Sequence, residues 1–284
     1  MTTVAPRRGS GRVAERLRLA GLLGPPLAWL VVAYLGSMAV LLLSAFWSRN
    51  ELTGQVVQVY TIGNLLQAFS DPVTWAVTLR SLGIAIAVTL IDAIIAIPIG
   101  LAMAKVVRAR SRIALVVAVT TPLWASYLVK AYAWRVLLAP NGPLSFLGLR
   151  PEYGIGATIA TLAYLWLPYM VLPVFAGFER VPDSLFEASA DLGASAWTTL
   201  RAVVVPLAFP AIAAGSIFTF SLSLGDYIAV GIVGGKTQVL GTLIYGQLTT
   251  ANDQPLAASL SLIPLAAIVL YLLALGRTGA LENV

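Results

Sequence analysis

Few side chains in this sequence can carry covalent chemistry, because its 284 residues include no Cys and no His. Their absence excludes disulfides, zinc sites with thiolate or imidazole ligands, Cys nucleophiles and Ser-His-Asp triads. Two acids stand out instead, Asp92 in the middle of an apolar stretch and Asp226 at the end of another. A carboxylate in such surroundings requires a cavity, a cation or a polar partner. Both acids are therefore candidates for receiving an ammonium group. For Asp92 the structural alternative is a neutral acid, or one bonded to a neighbouring helix.

The segment Ser223-Leu224-Gly225-Asp226 approaches the Gly-x-Gly-Asp signature of intramembrane aspartyl proteases, for which Asp92 would supply the second acid. Such a dyad needs two carboxyl groups close enough to share a proton. Ser223 replaces the first Gly of the signature, and the residue before Asp92 is Ile91 rather than the usual Tyr. Proteolysis is therefore kept only as the alternative from another functional class.

Gly234-Gly235-Lys236-Thr237 ends like a phosphate-binding P-loop. A P-loop also needs an earlier Gly at the position that Val230 occupies, so that backbone N–H groups can surround the phosphates. We therefore expect no nucleotide, metal or other cofactor on this chain.

Four aromatic residues cluster in one apolar stretch: Trp124, Tyr127, Tyr132 and Trp134. Trp and Tyr commonly form a belt at the membrane–water interface, and their ring faces also attract alkylammonium groups. Lys130 and Arg135 lie among them and would oppose a cation locally. Both an interfacial belt and a cation-binding face are consistent with this pattern.

The composition places these residues in a membrane protein. Hydrophobic residues make up 59% of the chain and charged residues 11%, with a mean hydropathy of +0.88, whereas soluble domains have about 25% charged residues. A bilayer core about 30 Å thick requires roughly 20 apolar residues in a helix. Stretches of that length predict an all-α polytopic protein of one domain, with six transmembrane helices over residues 22–47, 81–104, 113–134, 153–178, 202–225 and 254–276.

The basic residues predict how the spans are oriented. Twelve of the eighteen Lys and Arg residues fall on one side of the six predicted spans and six on the other. Because cytoplasmic loops carry the excess of Lys and Arg, we expect both termini in the cytoplasm, with a basic arm at residues 1–21 and a short tail at 277–284. The net charge of +6 has the same explanation and requires no nucleic-acid partner.

One predicted cytoplasmic loop, residues 179–205, contains a short helix. Ser184 and Glu187 have the spacing of a capping box, and Gly193 suits a left-handed terminating position. These signals predict a helix over Leu185–Leu192, of about two turns and too short to be stable alone. One interpretation is a connecting helix, and the other is a helix that docks in the groove of a partner.

The loop resembles the EAA loop of binding-protein-dependent ABC importer permeases. Glu187-Ala188-Ser189 is followed by Gly193 and then by Pro206 at the fifth span, which is the spacing and position of that motif. The chain departs from it at Ser189, where Ala is usual, and at Val205, where Leu is usual. The resemblance implies an ATPase-coupling loop with the residues Ser184, Glu187, Ala188, Ser189, Gly193 and Pro206.

The resemblance runs from about Thr61 to Leu275 and is closest to the spermidine/putrescine branch of these permeases. The segments that carry it are Pro122–Trp134, Leu167–Pro173, Leu224–Tyr227 and Gly234-Gly235. It implies the type I (MetI-like) permease fold and a polyamine as cargo, with an opine, a phosphonate or an iron chelate as alternatives. The candidate translocation pathway consists of Asp92, Asp226, Tyr227, Trp124 and Tyr132.

The same resemblance implies a non-catalytic subunit of the bacterial inner membrane, whose partners supply the energy and the cargo. The implied partners are a second permease chain that forms a homologous heterodimer, a pair of ATP-binding cassette ATPases that would bind ATP and Mg²⁺, and an extracytoplasmic solute-binding protein. A secondary transporter driven by an ion gradient is the alternative mechanism, and paired, interrupted repeats would be expected of it.

Overall fold

The computed structural model describes residues 10–50, 53–148 and 151–278, which are mostly helical. The ends of the predicted basic arm and tail, residues 1–9 and 279–284, lie outside the described residues. The helices are α1 (Ser10–Leu30), α2 (Ser37–Ser44), α3 (Gly63–Ser70), α4 (Pro72–Leu101), α5 (Ala109–Trp124), α6 (Tyr127–Leu137), α7 (Ile155–Glu179), α8 (Asp183–Asp191), α9 (Ala196–Thr199), α10 (Val205–Gly225), α11 (Ile228–Val233), α12 (Leu240–Thr249) and α13 (Gln254–Gly276). Short π-helical segments join or extend them at Val31–Gly36, Ala102–Val106 and Leu200–Val204, and Pro143–Leu147 is a 3₁₀ helix.

Five continuous segments of the described chain are long and apolar enough to cross a membrane: Gly21–Ser44, Pro72–Val106, Ile155–Glu179, Ala196–Gly225 and Gln254–Gly276. The last of them has the predicted bounds. The second begins at Pro72 instead of near Ser81, because the Asp71 carboxylate caps α4 by accepting a hydrogen bond from the Val73 N–H at 3.0 Å.

The predicted span 113–134 is a broken helix and not a single rod. α5 and α6 meet the length and composition of a span only together, and their axes are bent by 94°. Between them Ala125 and Ser126 are extended. Pro122 cannot donate to the preceding turn, and its own carbonyl accepts from the Lys130 ammonium at 3.0 Å. Lys130 therefore stabilises the bend by satisfying a carbonyl at the end of α5.

Three long helices, α4, α7 and α10, form the core of the bundle. Small residues let their backbones approach closely: a Cβ on Gly100 of α4 would lie 3.1 Å from the Phe175 backbone nitrogen of α7. Likewise, a Cβ on Gly215 of α10 would lie 3.2 Å from the Met170 Cα. Close approach of this kind is how helices associate in a membrane, where neighbouring lipid is as apolar as the side chains.

A two-stranded antiparallel hairpin, β1 (Trp47–Arg49) and β2 (Val56–Tyr60), follows the first span. The all-α prediction omitted it. The Asn64 side chain holds it against α3 by donating to the carbonyls of Ala45 and Trp47, at 3.1 and 2.7 Å. The hairpin and α11 lie at the end of the bundle opposite α8.

Candidate functional site

The α8 loop, which we define as residues 180–205, begins with a rigid turn. Pro182 precedes α8 in an extended conformation, and α8 runs over Asp183–Asp191 with no side-chain cap. The predicted capping box of Ser184 and Glu187 is wrong, because the fixed φ of Pro182 starts the helix one residue before Ser184. Ser184 therefore lies within the first helical turn, and Glu187 and Ala188 are exposed on α8.

The loop turns sharply after α8 at a left-handed glycine. Gly193 has φ +75°, as the sequence predicted, and its N–H donates to the Ala190 carbonyl at 2.8 Å. The next N–H, of Ala194, donates to the Ser189 carbonyl at 3.0 Å. The Ser189 hydroxyl also lies 2.7 Å from that of Thr199 in α9, so α8 and α9 hold each other.

Two large apolar side chains at this turn were not predicted to be functional from the sequence. Leu192 is 88% exposed and Trp197 is 68% exposed, on either side of Gly193. Their signal in the sequence was the position of two bulky apolar residues close to the glycine turn. Glu187, Ala188, Leu192 and Trp197 are thus all exposed within the α8 loop.

A second site lies at the opposite end, where α10 stops and the chain re-enters the bundle as α11. Asp226 adopts an extended conformation after Gly225 and is almost fully buried. One carboxyl oxygen accepts from the Ala229 N–H at 2.9 Å, which caps α11. The other accepts the hydroxyl hydrogen of Tyr127, the first residue of α6. Asp226 thus joins α6, in the broken third span, to α11.

Asp226 lines a cavity of about 330 Å³ together with the rings of Tyr127, Trp166 and Tyr227. We call it the Asp226 cavity. Trp166, from α7, stacks on Tyr127 with ring centroids 5.9 Å apart. From Trp166 a row of rings continues through Tyr169 to Phe218 of α10, with centroid separations of 6.0 and 6.1 Å. Neither Trp166 nor this row of rings was predicted from the sequence.

Among the described residues, no Lys or Arg side chain forms an ion pair with Asp226. The ion pairs of the described residues are Arg49–Asp253, Lys105–Asp183 and Arg112–Glu179. The two cations expected to oppose cation binding are used elsewhere, since Lys130 bonds to the Pro122 carbonyl and Arg135 to the Ile232 carbonyl at 3.0 Å. A carboxyl group beside aromatic ring faces can bind an alkylammonium group.

The structure brings together only two residues of the predicted pathway. Asp226 and Tyr227 share the cavity, whereas Asp92 is fully buried in α4 and does not line it. Neither carboxyl oxygen of Asp92 has a hydrogen-bond partner among the described residues. Trp124, at the end of α5, is 90% exposed, and Tyr132 of α6 is also exposed. Both lie outside the cavity lining.

The chain is similar to known proteins over most of its length. The family described as "Binding-protein-dependent transport system inner membrane component" matches residues 96–278. The chain is 42% identical to "Inner membrane ABC transporter permease protein YdcU" of Escherichia coli (strain K12), over 97% of this chain and 96% of that protein. It is 28% identical to "Spermidine/putrescine transport system permease protein PotB" of the same strain, over 90% and 95%. A crystal structure of a bacterial ABC transporter for the acidic polysaccharide alginate has the same fold, with a TM-score of 0.73 at 16% identity over 94% of this chain and 98% of that one.

Proposed function

Because the chain belongs to the family of binding-protein-dependent transport system inner membrane components, it is a multi-pass inner-membrane permease subunit of an ABC importer, and we propose that its cargo is a polyamine of the spermidine or putrescine type. The observation that carries the proposal is the Asp226 cavity, in which a carboxyl group and aromatic faces meet without a protein cation. The name of PotB, a relative at 28% identity, points to the same cargo.

The chemistry of a polyamine matches this cavity. Each ammonium group can donate charge-assisted hydrogen bonds to a carboxylate such as Asp226 or lie over a ring face, and the methylene chain between ammonium groups can lie along aromatic surface. The row from Tyr127 through Trp166 and Tyr169 to Phe218 supplies such a surface beyond the cavity. Among the other pathway candidates, Asp92 also has a carboxyl group that could bind a cation, but it is fully buried and does not line the Asp226 cavity.

An anionic cargo fits this site less well. A phosphonate or a negatively charged chelate would face the Asp226 carboxyl group, with Lys130 and Arg135 both engaged by carbonyls. The alginate transporter shares the fold and carries an acidic polysaccharide, so cargo selection has to come from the side chains and not from the fold.

The α8 loop is the proposed contact with a partner ATPase, and in this proposal the same end of the bundle and both termini face the cytoplasm. Its exposed surface at Glu187, Ala188, Leu192 and Trp197 is the support for this assignment, together with the turn at Gly193. The same proposal includes a second, homologous permease chain and an extracytoplasmic binding protein. The chain itself would bind no ATP or Mg²⁺ and would make no covalent bond.

Uptake by the reconstituted complex tests the cargo. The chain would be purified with its ATPase and second permease, placed in proteoliposomes and supplied with binding protein, ATP and radiolabelled spermidine. We expect ATP-dependent, saturable uptake that unlabelled putrescine inhibits and a phosphonate does not. Uptake that responds to the phosphonate, or no uptake of spermidine, would contradict the polyamine assignment.

Two variants of the cavity and one control variant test the site. Asp226→Asn keeps the shape of the side chain and removes its charge, so we expect the affinity for spermidine to fall about tenfold, the value of one charge-assisted contact. Tyr127→Phe should weaken uptake as well, whereas Tyr60→Phe, on the exposed face of β2, serves as the control. Equal uptake by all three variants and the wild type would exclude the cavity as the cargo site.

A further inference from the structure

At the α8 end, two neighbouring turns of the chain are joined by two basic side chains. The first turn is the π-helical end of α4, Ala102–Val106, with the start of α5. The second turn connects α7 to α8. Lys105 comes from the π-helical segment and Arg112 from α5, and each reaches across to the second turn.

Lys105 lies where the end of one helix meets the start of another. Its ammonium donates to the Val181 carbonyl at 2.6 Å and to the Asp183 carboxylate at 2.8 Å. It also lies 5.7 Å from the centre of the Phe186 ring. Val181 follows the end of α7, and Asp183 is the first residue of α8.

These contacts are favourable for separate physical reasons. A cation is stabilised by the carbonyls at a helix C-terminus, and an acid by the N–H groups of a first turn. Asp183 is 80% exposed, so its ion pair alone contributes little. The Lys105 side chain is only 17% exposed, and its bond to the carbonyl of buried Val181 is shielded from water. Lys105 therefore fixes α8 more firmly than a surface ion pair would.

Arg112 reinforces the same junction. One nitrogen of its guanidinium donates to Glu179, the last residue of α7, at 2.9 Å, and another donates to the Ala104 carbonyl at 2.9 Å. The Arg112 guanidinium thus bonds both to the π-helical end of α4 and to the end of α7. Both basic residues belong to the excess of positive charge that predicted the orientation of the spans. The sequence pattern therefore gave no separate indication that they also join these two turns.

We propose that Lys105, supported by Arg112, is a positioning residue that makes the α4–α5 turn move with α8, so that a displacement of α8 by the ATPase reaches α4 directly. This inference rests on the proposed function of the α8 loop. From its junction with α8, α4 runs along α7 in close contact at Gly100. Without Lys105, α8 could move on its own, and ATP would be hydrolysed with less transport.

The absence of Cys allows the shared motion to be measured directly. Spin labels would be attached to cysteines at Arg108→Cys and Asp191→Cys, both exposed positions, one on each side of the junction. In the complete complex, we expect the distance between the labels to stay the same in the nucleotide-free and ATP-trapped states. With Lys105→Met added, we expect the distance to change between the two states or its distribution to broaden. A distance that changes in the wild-type background, or one that Lys105→Met leaves unaffected, would overturn the proposal.

Transport per ATP hydrolysed provides a second readout that a merely structural residue would not change. We expect Lys105→Met to lower spermidine uptake per ATP by about fivefold or more, the usual lower bound for coupling between sites. Lys105→Arg should restore most of it, and Asp183→Asn, on an exposed side chain, should have a smaller effect. Arg110→Met, an exposed position on α5, is the control.

Transport and label distances together distinguish a wrong cargo from a wrong role for Lys105. If the wild-type complex does not transport spermidine but the label distances behave as expected, the cargo is wrong and the role of Lys105 stands. If the wild type transports spermidine and Lys105→Met has the same uptake per ATP and the same distances, the cargo stands and the role of Lys105 is refuted.

Discussion

Replacing Gly193 with residues of different size and backbone preference distinguishes backbone strain within this chain from a steric clash with a partner. Gly193 has φ +75°, and a Cβ added to it would meet no atom of the chain within 4 Å. The cost of a side chain within this subunit is therefore conformational, about 1–2 kcal/mol for an ordinary L-residue in the left-handed region. Asn tolerates that region better than Ala, and β-branched Val tolerates it worst.

The strain acts on a helix with little stability of its own. α8 has nine residues, which is below the length at which an isolated helix persists in water. A penalty of about 1–2 kcal/mol raises the population of the disordered loop by about five- to thirtyfold. If the α8 loop couples the chain to an ATPase, ATP-driven uptake should fall in the order Gly, Asn, Ala, Val, while membrane insertion stays unchanged.

The assay compares uptake in proteoliposomes, ATP hydrolysis and the amount of assembled complex for the wild type and the three variants. Because Asn is larger than Ala, the order distinguishes two causes. If Ala is tolerated better than Asn, the limiting factor is space against a partner and not strain. If Gly193→Val assembles normally and transports like the wild type, the assignment of the coupling loop is refuted.

Two further predictions concern the core. Gly100→Leu should lower the thermal stability of the purified chain, because a Cβ at Gly100 already lies 3.0 Å from Val174 and 3.1 Å from the Phe175 backbone. Gly83→Leu, on the same helix with nothing within 4 Å, is the control, and equal loss in both would refute the packing argument. Asp92→Asn should leave the affinity for spermidine close to the wild-type value, since Asp92 does not line the cavity. A loss as large as that of Asp226→Asn would place Asp92 in the pathway.

The prediction of a type I importer permease fold is confirmed, and particular elements show why the sequence allowed it. A helix crossing a bilayer needs about 20 apolar residues, so Gln254–Gly276 could be delimited from its composition alone. The left-handed turn at Gly193 was predictable because glycine adopts that conformation without steric cost. The EAA-like spacing could be recognised in the sequence because the whole motif lies within one short loop.

Other elements depended on groups that are distant in the sequence. Pro122 was compatible with a continuous span, because membrane helices tolerate proline when other groups satisfy the freed carbonyl. The break after Trp124 is accompanied by a hydrogen bond from Lys130, eight residues along the chain from its acceptor, the Pro122 carbonyl. The capping box failed by one residue, because Pro182 and not Ser184 determines where α8 begins.

The sequence by itself determined the membrane environment of this protein, the presence of its long apolar helices and the position of the loop after the fourth predicted span, because hydropathy and local turn signals are properties of adjacent residues. Only the tertiary structure decided which polar groups meet. It joined Asp226 to Tyr127 across the broken third span, stacked Trp166 on that tyrosine and brought Lys105 to the junction of α7 and α8. Each of these contacts joins segments that are remote in the chain, and their geometry is fixed by how α4, α7 and α10 pack.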